Sequence, residues 1–185
     1  HFLIQMCAVL SSWQGGCSRF ANGDRMEITM LDKALITRAD DFGSSHSANQ
    51  AIYEVSKKGI VKNVSVMACA PYLEEAAEML ASSKDVTFGM HSVINAEWDR
   101  VVWGPVAPKE KVKSLIDHRG VFYQDVLELA AAKPDLDEII TEYKYQLDRL
   151  RKVGFPIAYI DSHMMPEGDI PGLAEKFDRW VEEEG

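Results

Sequence analysis

The sequence predicts an α/β protein whose parallel strands and helices form an incomplete (β/α) barrel. Two patterns support this class. Short apolar, β-branched runs alternate with longer stretches of helical periodicity, and polar residues repeatedly follow the strands at their carboxyl ends. Four strand–helix units are about half of the eight that close a TIM-like barrel. The predicted strands cover residues 34–39, 62–69, 86–91 and 157–161.

The helices are predicted from the spacing of apolar residues and from residues that suit helix ends. The longest begins with acidic residues from Asp135 to Glu138 and ends near Lys152 and Gly154. The predicted helices cover residues 46–58, 71–83, 122–132, 135–153 and 171–184. A half barrel leaves a strand edge open for pairing with other chains. We therefore expect poor solubility, unless further strands or a second copy in a homo-oligomer cover that edge.

The barrel segment is expected to cover residues 33–185, and residues 1–32 form an N-terminal extension outside it. Two interpretations of the extension stay open. Its apolar start and the small residues before Cys17 suit the remnant of a signal peptide, which would make the protein extracytoplasmic. Alternatively, translation begins at Met26 and the preceding residues are upstream read-through.

Charge and hydropathy exclude two classes of partner. The chain has 29 acidic and 20 basic side chains, whereas a nucleic-acid-binding surface needs clustered basic residues. No apolar run reaches the roughly 20 residues that a transmembrane helix requires. We expect a small-molecule substrate instead.

Candidate functional residues follow three of the predicted strands. Asp40 and Asp41 end the first, His91 ends the third, and His163 ends the fourth. The carboxyl ends of parallel strands meet on one face of the sheet. One carboxylate and two imidazoles there are a common open site for a divalent metal, which leaves positions for water and substrate. Because adjacent strand residues point in different directions, Asp40 and Asp41 are expected to have different roles.

The same residues form motifs that resemble those of the YdjC-like carbohydrate deacetylases. The motifs are Arg-Ala-Asp-Asp-Phe-Gly at 38–43, Gly-Met-His at 89–91 and Tyr-Ile-Asp-Ser-His at 159–163. The resemblance implies a (β/α) barrel, often incomplete, that removes acetyl groups from N-acetylated amino sugars. It further implies that Asp41, His91 and His163 hold the metal, that Asp40 is the general base, and that the protein is cytoplasmic.

The sequence departs from the family pattern at two places. Many relatives continue the third motif with further histidines, where this chain has Met164 and Met165. Relatives are also longer and carry a late histidine that is a candidate general acid. The chain is therefore expected to be the N-terminal part of such a domain and to lack that candidate general acid.

The identity of the metal stays open between two arguments. Two imidazoles and one carboxylate suit zinc or another transition metal on ligand chemistry. The resemblance favours magnesium, because some relatives are described as magnesium proteins. Either ion would lower the pKa of a bound water, which Asp40 would deprotonate during attack on the acetyl carbonyl. Backbone N–H groups near Gly43 or in the 92–95 segment are expected to assist at the carbonyl oxygen.

Further residues have alternative interpretations. Trp98 and Trp103 either present flat faces to a sugar ring or cover the barrel rim, and Arg100 is a candidate for a substrate hydroxyl or carbonyl. His46 is either a hydrogen-bond donor behind the metal ligands or part of a helix start capped by serines. Asp161 is a candidate to orient His163 or a neighbouring ligand.

Three functions remain open from the sequence. A metal-dependent deacetylase for carbohydrates is favoured. The alternatives are a metal-dependent hydrolase of another amide or a phosphoester, and a non-catalytic, truncated barrel that binds carbohydrate through its tryptophans.

Overall fold

The computed structural model describes residues 34–185 and the backbone of residues 4–9. One five-stranded sheet organises this part of the chain, with its strands in sequence order. The strands are β1 (Ile4–Val9), β2 (Ala34–Phe42), β3 (Asn63–Val66), β4 (Thr87–Ser92) and β5 (Ile157–Ser162). The interpretations of residues 1–32 as a signal remnant or read-through fall mostly outside the described residues.

The four predicted strands are present, and they are parallel to one another, which confirms the predicted α/β class with parallel strands. The sheet is open. Strand β5 pairs only with β4 among the described strands, and β1 pairs antiparallel with the other side of β2. The sequence patterns did not predict β1, because a strand at an antiparallel edge can be short and has no strand–helix repeat to mark it.

Five α-helices accompany the sheet in the described part of the chain. They are α1 (His46–Lys57), α2 (Leu73–Leu80), α3 (Val126–Ala131), α4 (Leu136–Lys152) and α5 (Leu173–Glu184). Helix α4 has the predicted limits, with Asp135 as its N-cap. Helix α3 starts later than predicted, because Asp125 caps it and Phe122 pairs with Ile116 in an isolated β-bridge. Across residues 34–185, no helix combines the length and the apolar character of a membrane span.

The end of β2 contains an irregularity that shapes the site. Ala39 pairs with Val64 and Phe42 pairs with Val66, so β2 uses one more residue than β3 over the same stretch. Asp41, within this bulge, has a φ of 63°, in the left-handed region that non-glycine residues rarely adopt. The bulge breaks the simple alternation of side chains, so that Asp41 lies near both His91 and His163, while Asp40 lies near His91 and Asp161.

The long segment between β4 and α3 is attached to α4 by buried polar side chains. Glu142 accepts hydrogen bonds from the backbone N–H groups of Val106 and Ala107, both at 2.9 Å. Gln146 accepts from the N–H of Val93 at 3.0 Å and donates to its carbonyl at 2.6 Å. Helix α4 therefore satisfies the backbone groups of a loop that borders the carboxyl ends of the strands.

Candidate metal centre

Three side chains from three strand ends converge on one point. The Nε2 atom of His91 and the Nδ1 atom of His163 are 3.1 Å apart. The Oδ1 atom of Asp41 lies 3.4 Å from the first nitrogen and 3.3 Å from the second. The three atoms form a nearly equilateral triangle that could hold a metal ion.

The shape of the triangle fits one shared cation. Atoms bound tetrahedrally to one ion at about 2.0–2.2 Å stand roughly 3.3–3.6 Å apart, close to the distances in this site. Among the described residues, the buried Oδ1 atom of Asp41 has no hydrogen-bond partner. An unsatisfied carboxylate oxygen beside two imidazole nitrogens is the donor set that a divalent transition metal would satisfy.

His91 is oriented by groups of the sheet. Its Nδ1 atom is 2.5 Å from Oδ1 of Asp161, which lies beside it on β5. The other oxygen of Asp161 accepts from Ser65 at 2.5 Å and pairs with Arg38 at 2.9 Å. A carboxylate can only accept, so Nδ1 carries the hydrogen and Nε2 is left to face Asp41. From the sequence, Asp161 was a candidate to orient His163 or a neighbouring ligand. In the structure its hydrogen bond is to His91, the neighbouring ligand.

His163 is oriented by the loop after β4. Its Nε2 atom is 2.9 Å from Oε2 of Glu97, and its Nδ1 atom faces Asp41. The two histidines therefore direct opposite ring nitrogens to the centre, each with a carboxylate behind it. Such pairs of imidazole and carboxylate are typical of metal-binding histidines.

The charges in the centre are strongly coupled. Burial lowers the pKa of His91, but contacts with Asp161 and Asp41 outweigh it and raise the pKa to about 9. The pKa of His163 is likewise raised, since Asp41 and Glu97 outweigh burial. Burial raises the pKa of Asp41, yet the two histidines hold it well below the usual range. The site thus favours added positive charge, either as protons or as a metal ion.

Asp40 lies beside this centre in a salt bridge. Arg38, two residues earlier on β2, donates from Nε to Oδ1 at 2.6 Å and from Nη2 to Oδ2 at 3.0 Å. The Asp40 side chain is only 10% exposed. An ionised carboxylate offers about four lone-pair directions, so Asp40 retains acceptor capacity beyond this fork.

The remaining predicted residues have varied positions. Trp103 is 3% exposed and donates from Nε1 to the carbonyl of Asn95, which favours the rim-covering interpretation for this residue. Trp98 is half-buried against it, with ring centroids 5.5 Å apart, and Arg100 is exposed. His46 is exposed and pairs with Glu75. It is the first residue of α1 and directly follows the N-cap Ser45. It belongs to the helix start.

Two side chains at the centre were not predicted from the sequence. Arg38 could have been found, because positions two apart on a strand share a face with Asp40. Glu97 gave no signal beyond an acidic residue in a loop.

The backbone N–H groups expected to assist at the carbonyl oxygen differ from expectation. The N–H groups of Gly43 and Val93 are already bonded, to Asn49 and Gln146 respectively, so the expected help from these two at a carbonyl oxygen is not available in this arrangement.

The family of the chain follows from comparison with known sequences. The family model described as YdjC-like protein matches residues 34–185, which contain the four parallel strands and the centre. The chain therefore belongs to the YdjC-like family.

Individual relatives carry related names. Carbohydrate deacetylases of Thermoanaerobacter pseudethanolicus and Enterococcus faecalis are each 33% identical, over 71% and 72% of this chain. A chitooligosaccharide deacetylase of Yersinia pestis is 32% identical over 74%. The chain spans about half the length of these relatives: 50%, 49% and 53%.

A solved structure agrees with the fold. It is a putative cellobiose-phosphate cleavage protein of Enterococcus faecalis, with a TM-score of 0.65 and 29% identity. The match covers 77% of this chain and 54% of that one.

Proposed function

We propose that this chain carries the metal-binding half of a deacetylase that hydrolyses the N-acetyl group of amino sugars or their oligomers. The observation that carries the proposal is the triangle of Asp41, His91 and His163, with ligand atoms 3.1–3.4 Å apart and an unsatisfied carboxylate oxygen. The names of the deacetylase relatives supply the substrate class.

Each residue has a proposed role. Asp41, His91 and His163 hold a divalent metal, with zinc favoured by the ligand chemistry and magnesium by the family. When bound, the metal would supply Lewis-acid polarisation of the acetyl carbonyl and would acidify a water. Asp40 accepts a proton from the attacking water, and Arg38 keeps its two oxygens in a fixed orientation.

The leaving amine also needs a proton. Asp40, once protonated by the attacking water, can return that proton to the amine, which balances the reaction as acetate and a free amine. Trp98, half-buried on the rim, and the exposed Arg100 are proposed to contact the sugar. Trp103 supports this rim from beneath.

Metal content and acetate release test these roles together. We expect Asp40→Asn to keep the metal and lose nearly all turnover on N-acetylglucosamine oligomers. His91→Ala and His163→Ala should lose both. The matched control is His46→Ala, which removes an exposed histidine and should change neither. Equal metal content in all four variants would contradict the proposed ligand set.

A second function is favoured by one observation, the likeness to a protein named for the cleavage of a sugar phosphate. Arg38, however, is engaged by Asp40 and Asp161, and the carboxylates of Asp41 and Glu97 at the centre would repel a phosphate. Assays on an N-acetylated sugar and on a phosphorylated disaccharide, with acetate and phosphate measured separately, distinguish the two functions.

A further inference from the structure

Glu97 contacts the centre from outside the sheet. It lies in the loop after β4, and its Oε2 atom is 2.9 Å from Nε2 of His163. Asn95 donates to the same oxygen at 3.3 Å. Because a carboxylate only accepts, the ring hydrogen of a neutral His163 belongs on Nε2, and Nδ1 then has the lone pair that a metal ion needs.

The backbone around Glu97 is held on both sides. The N–H of Ala96 donates to the carbonyl of Tyr123 at 2.9 Å, and Gln124 donates to the carbonyl of Glu97 at 3.4 Å. The indole of Trp103 donates to the carbonyl of Asn95 at 2.7 Å. The carboxylate is thus presented to His163 by a fixed segment, not by a freely rotating surface chain.

Trp103 also limits the movement of His163 itself. Its ring lies edge-on to the imidazole, with centroids 6.5 Å apart, and it is buried. The loop that carries Glu97 and Trp103 is attached to α4 through Glu142 and Gln146. Loop, helix and imidazole therefore form one connected unit.

We propose that Glu97 is a positioning residue for His163, which fixes the Nε2–H tautomer and directs Nδ1 to the metal. This inference rests on the proposed metal site, since the tautomer matters only where Nδ1 binds a cation. Glu97 does for His163 what Asp161 does for His91, although the two carboxylates come from different parts of the fold.

Zinc titration calorimetry of the whole chain tests the proposal. Glu97→Met keeps the length of the side chain and removes the acceptor, so zinc affinity should fall about 10- to 100-fold. Glu97→Gln keeps an acceptor oxygen and should lose less. Asp99→Asn, an exposed acid two residues away, is the matched control and should bind zinc as the unmodified chain does. Glu97→Ala serves as a second acceptor-free variant if Glu97→Met does not fold.

Nitrogen-15 spectra of the zinc-loaded chain report the ring hydrogen directly. We expect a slowly exchanging Nε2–H signal from His163 in the unmodified chain, which is weakened or lost in the acceptor-free variants. Unchanged affinity and an unchanged signal in those variants would overturn the role of Glu97 alone. A chain that binds no zinc would overturn the metal site as well, so the two failures are distinguishable.

Discussion

The two histidines of the centre are held by contrasting regions of the molecule. His91 depends on the sheet: its partner Asp161 is its neighbour in the β4–β5 register, and Ser65 on β3 and Arg38 on β2 hold that carboxylate in turn. His163 depends on Glu97, in a loop attached to α4. One orientation is thus set by strand register, and the other by the path of a loop.

This difference predicts different costs of substitution. The sheet-side network crosses four strands, so a change there should reduce both folding stability and metal affinity. The loop-side contact involves one carboxylate whose side chain is 25% exposed, against 14% for Asp161. A change there should reduce metal affinity with less effect on folding.

The largest effect is expected from Asp161→Ala. It removes the acceptor for His91 and leaves Arg38 and Ser65 without that partner. Breaking a largely buried ion pair costs about 3 kcal/mol or more, and the metal affinity should fall as well. Denaturant unfolding and metal titration measure the two losses. The exposed Asp169→Ala is the control, and a similar loss in both variants would argue against a sheet-side network.

Glu142 should make the attachment of the loop depend on pH. Burial raises its pKa to about 7, although Gln146 and the N–H groups of Val106 and Ala107 act in the opposite direction. The pKa of Glu142 in the folded chain exceeds the unfolded value of about 4.3, so the folded state binds this proton more tightly. The stability that Glu142 contributes in this way is fully present below about pH 4.3 and is lost as the pH rises through 7.

The measurement is the free energy of unfolding of the unmodified chain minus that of Glu142→Gln. We expect this difference to fall by up to about 3 kcal/mol between pH 4.5 and 8. A difference that does not vary with pH would mean that Glu142 has an ordinary pKa.

Gly89→Ala should disturb the sheet side through packing. A Cβ at this position would lie 2.0 Å from the ring of Tyr159, whose hydroxyl is 3.0 Å from Oγ of Ser65. The ring must move, at a cost near the upper end of about 1–3 kcal/mol. Gly168→Ala meets no atom within 4 Å and should be tolerated in the same thermal melts. Equal melting temperatures would show that Tyr159 relocates freely.

The smallest effect is expected from Ser65→Ala. It removes the hydrogen bond to Asp161, worth about 1 kcal/mol, while Arg38 still holds that carboxylate. Ser56→Ala is a matched control, because the buried Oγ of Ser56 has no hydrogen-bond partner among the described residues. If the two substitutions cost the same, the Ser65 contact contributes no net stability.

Much of this architecture was predictable from local sequence. The caps of α4 and the apolar runs of the parallel strands are short-range signals, and the predicted limits agree with the structure within a few residues, apart from the shorter β3 and α3. That His91, His163 and one of the two aspartates at 40–41 lie at one site was predictable because parallel strand ends share a face, whatever the details of packing. The choice of Asp41 over Asp40 as the ligand came from the family resemblance.

Other features depend on contacts between distant positions. The extra residue in β2 that turns Asp41 into the left-handed region is set by pairing with β3. The burial of Trp103 and the contact of Glu97 with His163, 66 residues away, follow from the path of the loop across α4. No periodicity or spacing along the chain encodes such a path.

The sequence by itself therefore determined the strand–helix alternation and which side chains end the strands, because hydrophobic period and capping act over a few residues. Only the tertiary structure decided which carboxylate stands behind each imidazole and which ring nitrogen faces Asp41. Those choices depend on hydrogen bonds between elements, and these are defined only after the chain has folded.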